Sequence, residues 1–176
     1  NLATTVGTTT VNLSINNLYT AMFSLNLQRV PNSAERPISC VLHPQQYNDM
    51  QDSLRSESGV AQWQAATADQ VMAKGPGFKG RWNGVDYYDS DSCPTANAAA
   101  DRVGAMFGYG AFGYTLASTA KAKSLIPAGA LLVDLDEYFV EINRDATNGM
   151  SELIANGYPA VVEQEDLRAV RIVTDA

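Results

Sequence analysis

The stretch with the most chemical promise is Gly108-Tyr109-Gly110-Ala111-Phe112-Gly113, which spells GxGxxG. Glycines at that spacing let backbone N–H groups reach a pyrophosphate at a helix N-terminus, and a carboxylate about twenty residues on then meets the ribose. Here a strand is expected over 102–107, a short helix over 114–126, and Asp134 stands at the required distance. On that reading the chain is an oxidoreductase with a nucleotide cofactor. Two features oppose it. Tyr109 and Phe112 put bulk in the variable positions, and the chain lacks the alternating strands and helices that a parallel sheet needs. The competing reading is a turn whose glycines admit close backbone geometry while Tyr109, Phe112 and Tyr114 pack.

Other reactive residues are placed just as poorly for catalysis. A Ser-His-Asp arrangement must orient its histidine with a carboxylate, yet His43, the single histidine, directly precedes Pro44 at an expected helix start. No GxSxG elbow accompanies it, so it reads as a polar cap on that helix. Asp134, Asp136, Glu137 and Glu141 would suit paired-acid hydrolysis only across a cleft. Alternation along an expected strand instead spreads them over a solvated face. Asp86, Asp89 and Asp91 have a loosely calcium-like spacing, but their loop lacks the glycine and the downstream bidentate glutamate. Cys40 and Cys93 with one histidine make too few zinc ligands; two buried, reduced thiols are the preferred reading, with a disulfide between them as the alternative. No convergent polar pocket is expected. The residues therefore assign no catalytic, cofactor-binding or metal-ligating role, and no cofactor.

The elements that would carry these residues emerge from composition and period. The chain has 176 residues, 45% hydrophobic and 18% charged, which suits one sizeable globular domain, or one and a fraction. Its apolar runs are too short to span a bilayer, and no basic-flanked apolar leader opens it. A formal net charge of −7 without a basic stripe opposes direct nucleic-acid binding. Residues 1–10 read as a polar linker or a frayed arm. Val11, Ile15, Leu18, Tyr19, Met22 and Phe23 form one apolar stripe on a helix ending near Gln28, capped from the preceding threonines. Pro37–Leu42 reads as a strand, and Pro44 opens a helix facing inward through Tyr47, Met50 and Leu54. Residues 60–74 read as a weak helix or a loop anchored by Trp63, ended by Gly75-Pro76-Gly77. Asn83-Gly84 turns into a strand over 85–88. Residues 130–142 are expected as one long strand, Asn148-Gly149 as a turn, and 151–162 and 167–173 as further apolar segments that pair with each other or extend a sheet.

The order of these pieces carries a resemblance. A helix leads to a strand ending in VLHPQQYNDM, followed by WNGVDYYDSDSCP, AMFGYGAFGY, EYFVEINRDATNG and the tail SELIANGYPAVVEQEDLRAVRIV. Together they resemble the C-terminal two-thirds of tailed-bacteriophage major capsid proteins of the Hong Kong ninety-seven type, a fold also used by encapsulins. The resemblance implies an α+β phage major capsid protein fold. Residues 1–36 would be a peripheral-domain part whose helix, Val11 to Gln28, matches the spine helix. Residues 37–148 would form the axial domain, and 149–176 would return to peripheral strands. The implied function is structural, not enzymatic: self-association into pentamers and hexamers of an icosahedral shell that encloses double-stranded DNA without specific binding. Scaffold or decoration proteins are implied as further partners, with assembly in the host cytoplasm and residence in the virion. An encapsulin-like compartment shell is the alternative within the same fold. The family's N-terminal arm and extended loop have no counterpart in this chain, so no isopeptide role is assigned to Asn143, Asn148 or Glu163.

Overall fold

In the computed structural model, the described residues are 4–56, 63–97, 100–116, 131–135, 138–145, 150–156 and 159–175. The first helix, α1 (Ile15–Leu27), begins where Ser14 accepts the Asn17 N–H on its side chain and so satisfies one orphan donor. Its inward face is Ile15, Leu18, Ala21 and Leu25, all buried. The stripe expected from Val11 is thus shifted. Val11 lies ahead of the helix and Phe23 is exposed, while Met22 packs against the core at its border. The cap is Ser14 and not the threonine run, because Ser14 alone sits one residue before the first inward position.

Strand β2 (Ile38–Leu42) comes next, then α2 (Pro44–Ser56), which buries Met50 and Leu54 with Tyr47 packed alongside, as the spacing predicts. Residues 64–74 split into a short strand β3 (Gln64–Ala65) and a helix α3 (Ala68–Lys74). A reciprocal capping box between Thr67 and Gln70 starts α3, and Gly75 at φ 97° stops it. Strands β4 (Phe78–Trp82) and β5 (Val85–Asp89) form a hairpin around Asn83-Gly84. A short β6 (Thr95–Ala96) pairs with β7 (Asp101–Phe107).

Within the polar N-terminal stretch, residues 4–6 are not a frayed arm. Thr4–Val6 form β1, paired in parallel with β13 (Ala169–Asp175), since the outer edge of β13 otherwise leaves its backbone groups unpaired. One mixed sheet runs β1-β13-β7-β2-β5-β4-β3, with β6 on β7. Its rows explain the layers. Cys40, Met106 and Val170 stand opposite one another across β2, β7 and β13 and are buried with the inward residues of α1 and α2. The adjacent row, Val41, Ala105 and Arg171, belongs to the other face and is only partly covered. Trp82, Tyr87 and Trp63 close one end of the core, Trp63 lying 5.8 Å from Tyr87 between ring centroids.

The chain divides into two compact units, 1–111 with 164–176, and 112–163. The described residues of the second unit are strands, two of which depart from the sequence pattern. Phe112–Leu116 is β8, not the start of a helix, and pairs antiparallel with β12 (Pro159–Glu163). The expected single strand over 130–142 is two, β9 (Leu131–Leu135) and β10 (Tyr138–Asp145), folded back so that Val140 pairs with Val133. β11 (Met150–Asn156) pairs with the other edge of β10. The tail segments therefore do not pair with each other: β11 joins β10, β12 joins β8, and β13 joins β7. The rest of the helix expected over 114–126 and the turn at Asn148-Gly149 lie outside the described residues.

Candidate functional site

The glycine run sits at the end of β7, where the dinucleotide reading requires a helix to begin. A strand begins there instead. Gly108 donates its N–H to the Arg168 carbonyl, Ala111 closes back on the Gly108 carbonyl, and Phe112 then enters β8. Without a helix N-terminus there is no array of convergent N–H donors for a pyrophosphate, so the nucleotide-cofactor reading is overturned. The glycines serve packing. A Cβ on Gly108 would lie 2.0 Å from Val30 Cγ1, and Gly110 holds φ 82°. Tyr109 is held by the Arg36 guanidinium, 4.5 Å from its ring centre, and its carbonyl accepts from Arg168.

His43 caps α2: its Nδ1 accepts the Gln45 N–H at 3.2 Å. Burial and the Arg102 charge lower its pKa against a raising contribution from Asp91, which favours the neutral acceptor form. Beside it the buried Gln46 accepts the His43 N–H and donates to Thr174 Oγ1 and the Arg102 carbonyl, tying α2 to β7 and β13. Asp134 lies opposite Phe139, and Glu141 opposite Leu132 and Ile154. Asp136, Glu137 and Asn148 lie outside the described residues, Asn143 sits mid-strand in β10 and Glu163 ends β12. No group of three or more potential metal ligands occurs among the described residues.

Asp86, Asp89 and Asp91 do not converge. Asp91 is exposed, Asp89 pairs with Lys79 at 3.1 Å, and Asp86 is buried with both oxygens taken. Its Oδ2 accepts from Lys74 Nζ at 2.5 Å and its Oδ1 from Arg81 Nε at 2.7 Å. These two cations line a polar cleft of about 280 Å³ with Gln64, Thr67, Gln70 and Phe78. This corrects the expectation that no polar pocket exists. Lys74 stands twelve residues from Asp86 on a separate element, a pairing that hydropathy and spacing do not reveal.

A second, apolar groove of about 330 Å³ lies on the partly covered face of the sheet, along Val41, Val103, Ala105, Cys93 and Pro94 with Arg171. Cys93 lines this groove while Cys40 stands in the row under the helices, so the two thiols lie on opposite sides of β2 and remain free. Cys93 is half-buried, not fully buried as expected. Burial, with the neighbouring Cys93, pushes the Cys40 thiol far up; burial, Asp89 and Asp91 raise that of Cys93.

Apolar surface is the other conspicuous feature. On α1, Tyr19, Phe23 and Leu27 recur every fourth residue and are 43%, 63% and 64% exposed. Met72 of α3 is exposed, and in the second unit so are Tyr114, Val161 and Val162 on the β8–β12 ribbon. Tyr19, Phe23 and Leu27, four residues apart, therefore lie on one exposed face of α1. No helix among the described residues is long and apolar enough to cross a membrane.

The first unit is an α+β body on one large mixed sheet, and apolar surface is left open on it. The chain has the Hong Kong ninety-seven-type capsid fold. It is similar to the holo-SrpI encapsulin complex from Synechococcus elongatus PCC 7942, with a TM-score of 0.64 and 12% identity over 97% of this chain and 52% of that one. It is similar as well to a structure of Mycobacterium phage Che8, with a TM-score of 0.57 and 15% identity over 97% of this chain and 53% of that one. The chain thus spans about half the length of these solved structures. No protein-family profile and no curated protein sequence matches it.

Proposed function

We propose that this chain is a structural subunit of a tailed-phage icosahedral capsid, assembling as pentamers and hexamers around packaged double-stranded DNA. The observation that carries the reading is the fold likeness over 97% of the chain to an encapsulin and a phage structure. The exposed apolar positions on α1 and the β8–β12 ribbon are the contacts a neighbouring copy would cover. A net charge of −7 favours walls that enclose DNA without adhering to it. The function is mechanical, the protein resides in the virion, and scaffold or decoration proteins are its further partners.

Within this reading the axial and peripheral division is also a proposal. The boundaries read from the sequence are 36 and 148. The shared core of α1, β2, β5, β7 and β13 favours placing α1 and β13 with the axial body and 112–163 in the peripheral part. Limited proteolysis tests it: a stable core retaining α1 supports this division, and cleavage near residue 36 that releases an intact 37–148 body restores the boundaries at 36 and 148.

The encapsulin likeness favours a second reading, a compartment shell with protein cargo. Size-exclusion chromatography and negative-stain microscopy of the intact protein test the first claim. Shells or capsomers are expected, and a monodisperse monomer overturns it. Nucleic-acid content of purified particles then separates capsid from compartment.

A further inference from the structure

The cleft between α3, β3 and β4 gathers positive charge in an acidic chain. Twelve basic residues face nineteen acidic ones overall, yet here Lys74 and Arg81 converge on the single buried carboxylate of Asp86. Local charge is therefore one positive unit in excess. Each Asp86 oxygen accepts one of these donors, Oδ2 from Lys74 and Oδ1 from Arg81. Arg81 carries five N–H donors and Lys74 three. Among the described residues Arg81 uses only Nε, and Lys74 has its Asp86 bond and the Phe78 ring, 4.5 Å away. The two side chains are 33% and 31% exposed, fixed by their anchor yet open to the cleft. A guanidinium held at Nε with its outer nitrogens left over is disposed for planar, two-point binding of an oxyanion.

We propose that this cleft binds a carboxylate, supplied by an acidic side chain of a second copy of this chain. The source rests on the self-association proposed above; the carboxylate chemistry does not. An acidic protein offers such side chains over its surface, and a lone cationic socket gives them one register.

The test begins with NMR of the full chain, following Arg81 Nε–H and the amides of 64–70 and 78–81 during acetate titration against chloride at equal ionic strength. Saturable shifts with acetate alone are expected. Their absence overturns the proposal, as does saturation by inorganic phosphate without acetate. Gln70→Glu places a carboxylate at the cleft and keeps the capping box, since glutamate serves that position as well as glutamine. It should abolish the acetate shifts with the melting temperature preserved, whereas Ala68→Glu, in the same helical turn outside the cleft lining, should retain them. Equal loss in both variants overturns the site. Sedimentation then tests the source: millimolar acetate and Gln70→Glu should each weaken self-association about tenfold, the effect of one lost charged contact. An oligomer insensitive to both removes the second copy as the source. A chain that never self-associates defeats the shell reading while the titration still decides the cleft.

Discussion

Phe23 separates folding from assembly. It is 63% exposed on α1, so of the roughly 200 Å² an aromatic residue can bury, about 130 Å² stays in water. At about 25 cal/mol per Å², covering it with a neighbouring copy is worth about 3 kcal/mol. Phe23→Ala keeps one carbon of that contact and should cost association about 2 kcal/mol, or about 30-fold in the dissociation constant. Folding should respond with the opposite sign: alanine is the better helix former by about 0.5 kcal/mol, and little intramolecular packing is lost. The assay pairs sedimentation equilibrium with urea denaturation of the same variant. Unchanged association together with a stability loss above about 1 kcal/mol would refute the reasoning, because Phe23 would then belong to the chain's own core.

The same geometry makes three more claims testable. Gly108→Ala sets a methyl 2.0 Å from Val30 Cγ1 and should lower stability by about 1 to 3 kcal/mol in thermal or urea melts. Adding Val30→Ala should recover part of that loss, and no recovery would show that the clash is not the cause. His43 should make stability fall on acidification. Its folded pKa is lowered below 6.5, so its contribution is complete above that value and is lost as pH falls through the folded pKa. His43→Asn, which retains a capping acceptor, should flatten this part of the profile measured between pH 8 and 5; an unchanged slope assigns it to other groups. In the native chain Cys40 should resist a thiol reagent while Cys93 reacts slowly, both should react after denaturation, and no intramolecular disulfide should appear on oxidation. A mass two hydrogen atoms lighter under native oxidation would contradict the opposed placement across β2.

The parts legible from sequence are those where local chemistry and burial agree. Pro44 after His43, the Met50 and Leu54 spacing, and Asn83-Gly84 each specify their element without distant help, and each stands as read. Failures fall where a distant strand decides. Thr4–Val6 has no apolar period, and only the open edge of β13 makes it a strand. Tyr114 to Leu116 suits a helix locally, yet pairing with β12, more than forty residues away, makes it β8. The 130–142 segment alternates only in part: Asp136 and Glu137 are adjacent acidic residues, and the strands on either side of them, β9 and β10, pair with each other. The glycine run illustrates the same limit for function, since GxGxxG specifies a turn but leaves open whether a helix or a strand continues the chain. The Asp86 cluster was hidden because its partners come from α3 and β4, and carboxylate–cation pairing has no sequence period.

Cryo-electron microscopy of the assembled particle tests self-association most directly. A closed shell of repeated copies is expected, in which a neighbour covers Tyr19, Phe23 and Leu27. An intact protein that stays monomeric at high concentration, with that face of α1 open to solvent, would contradict it.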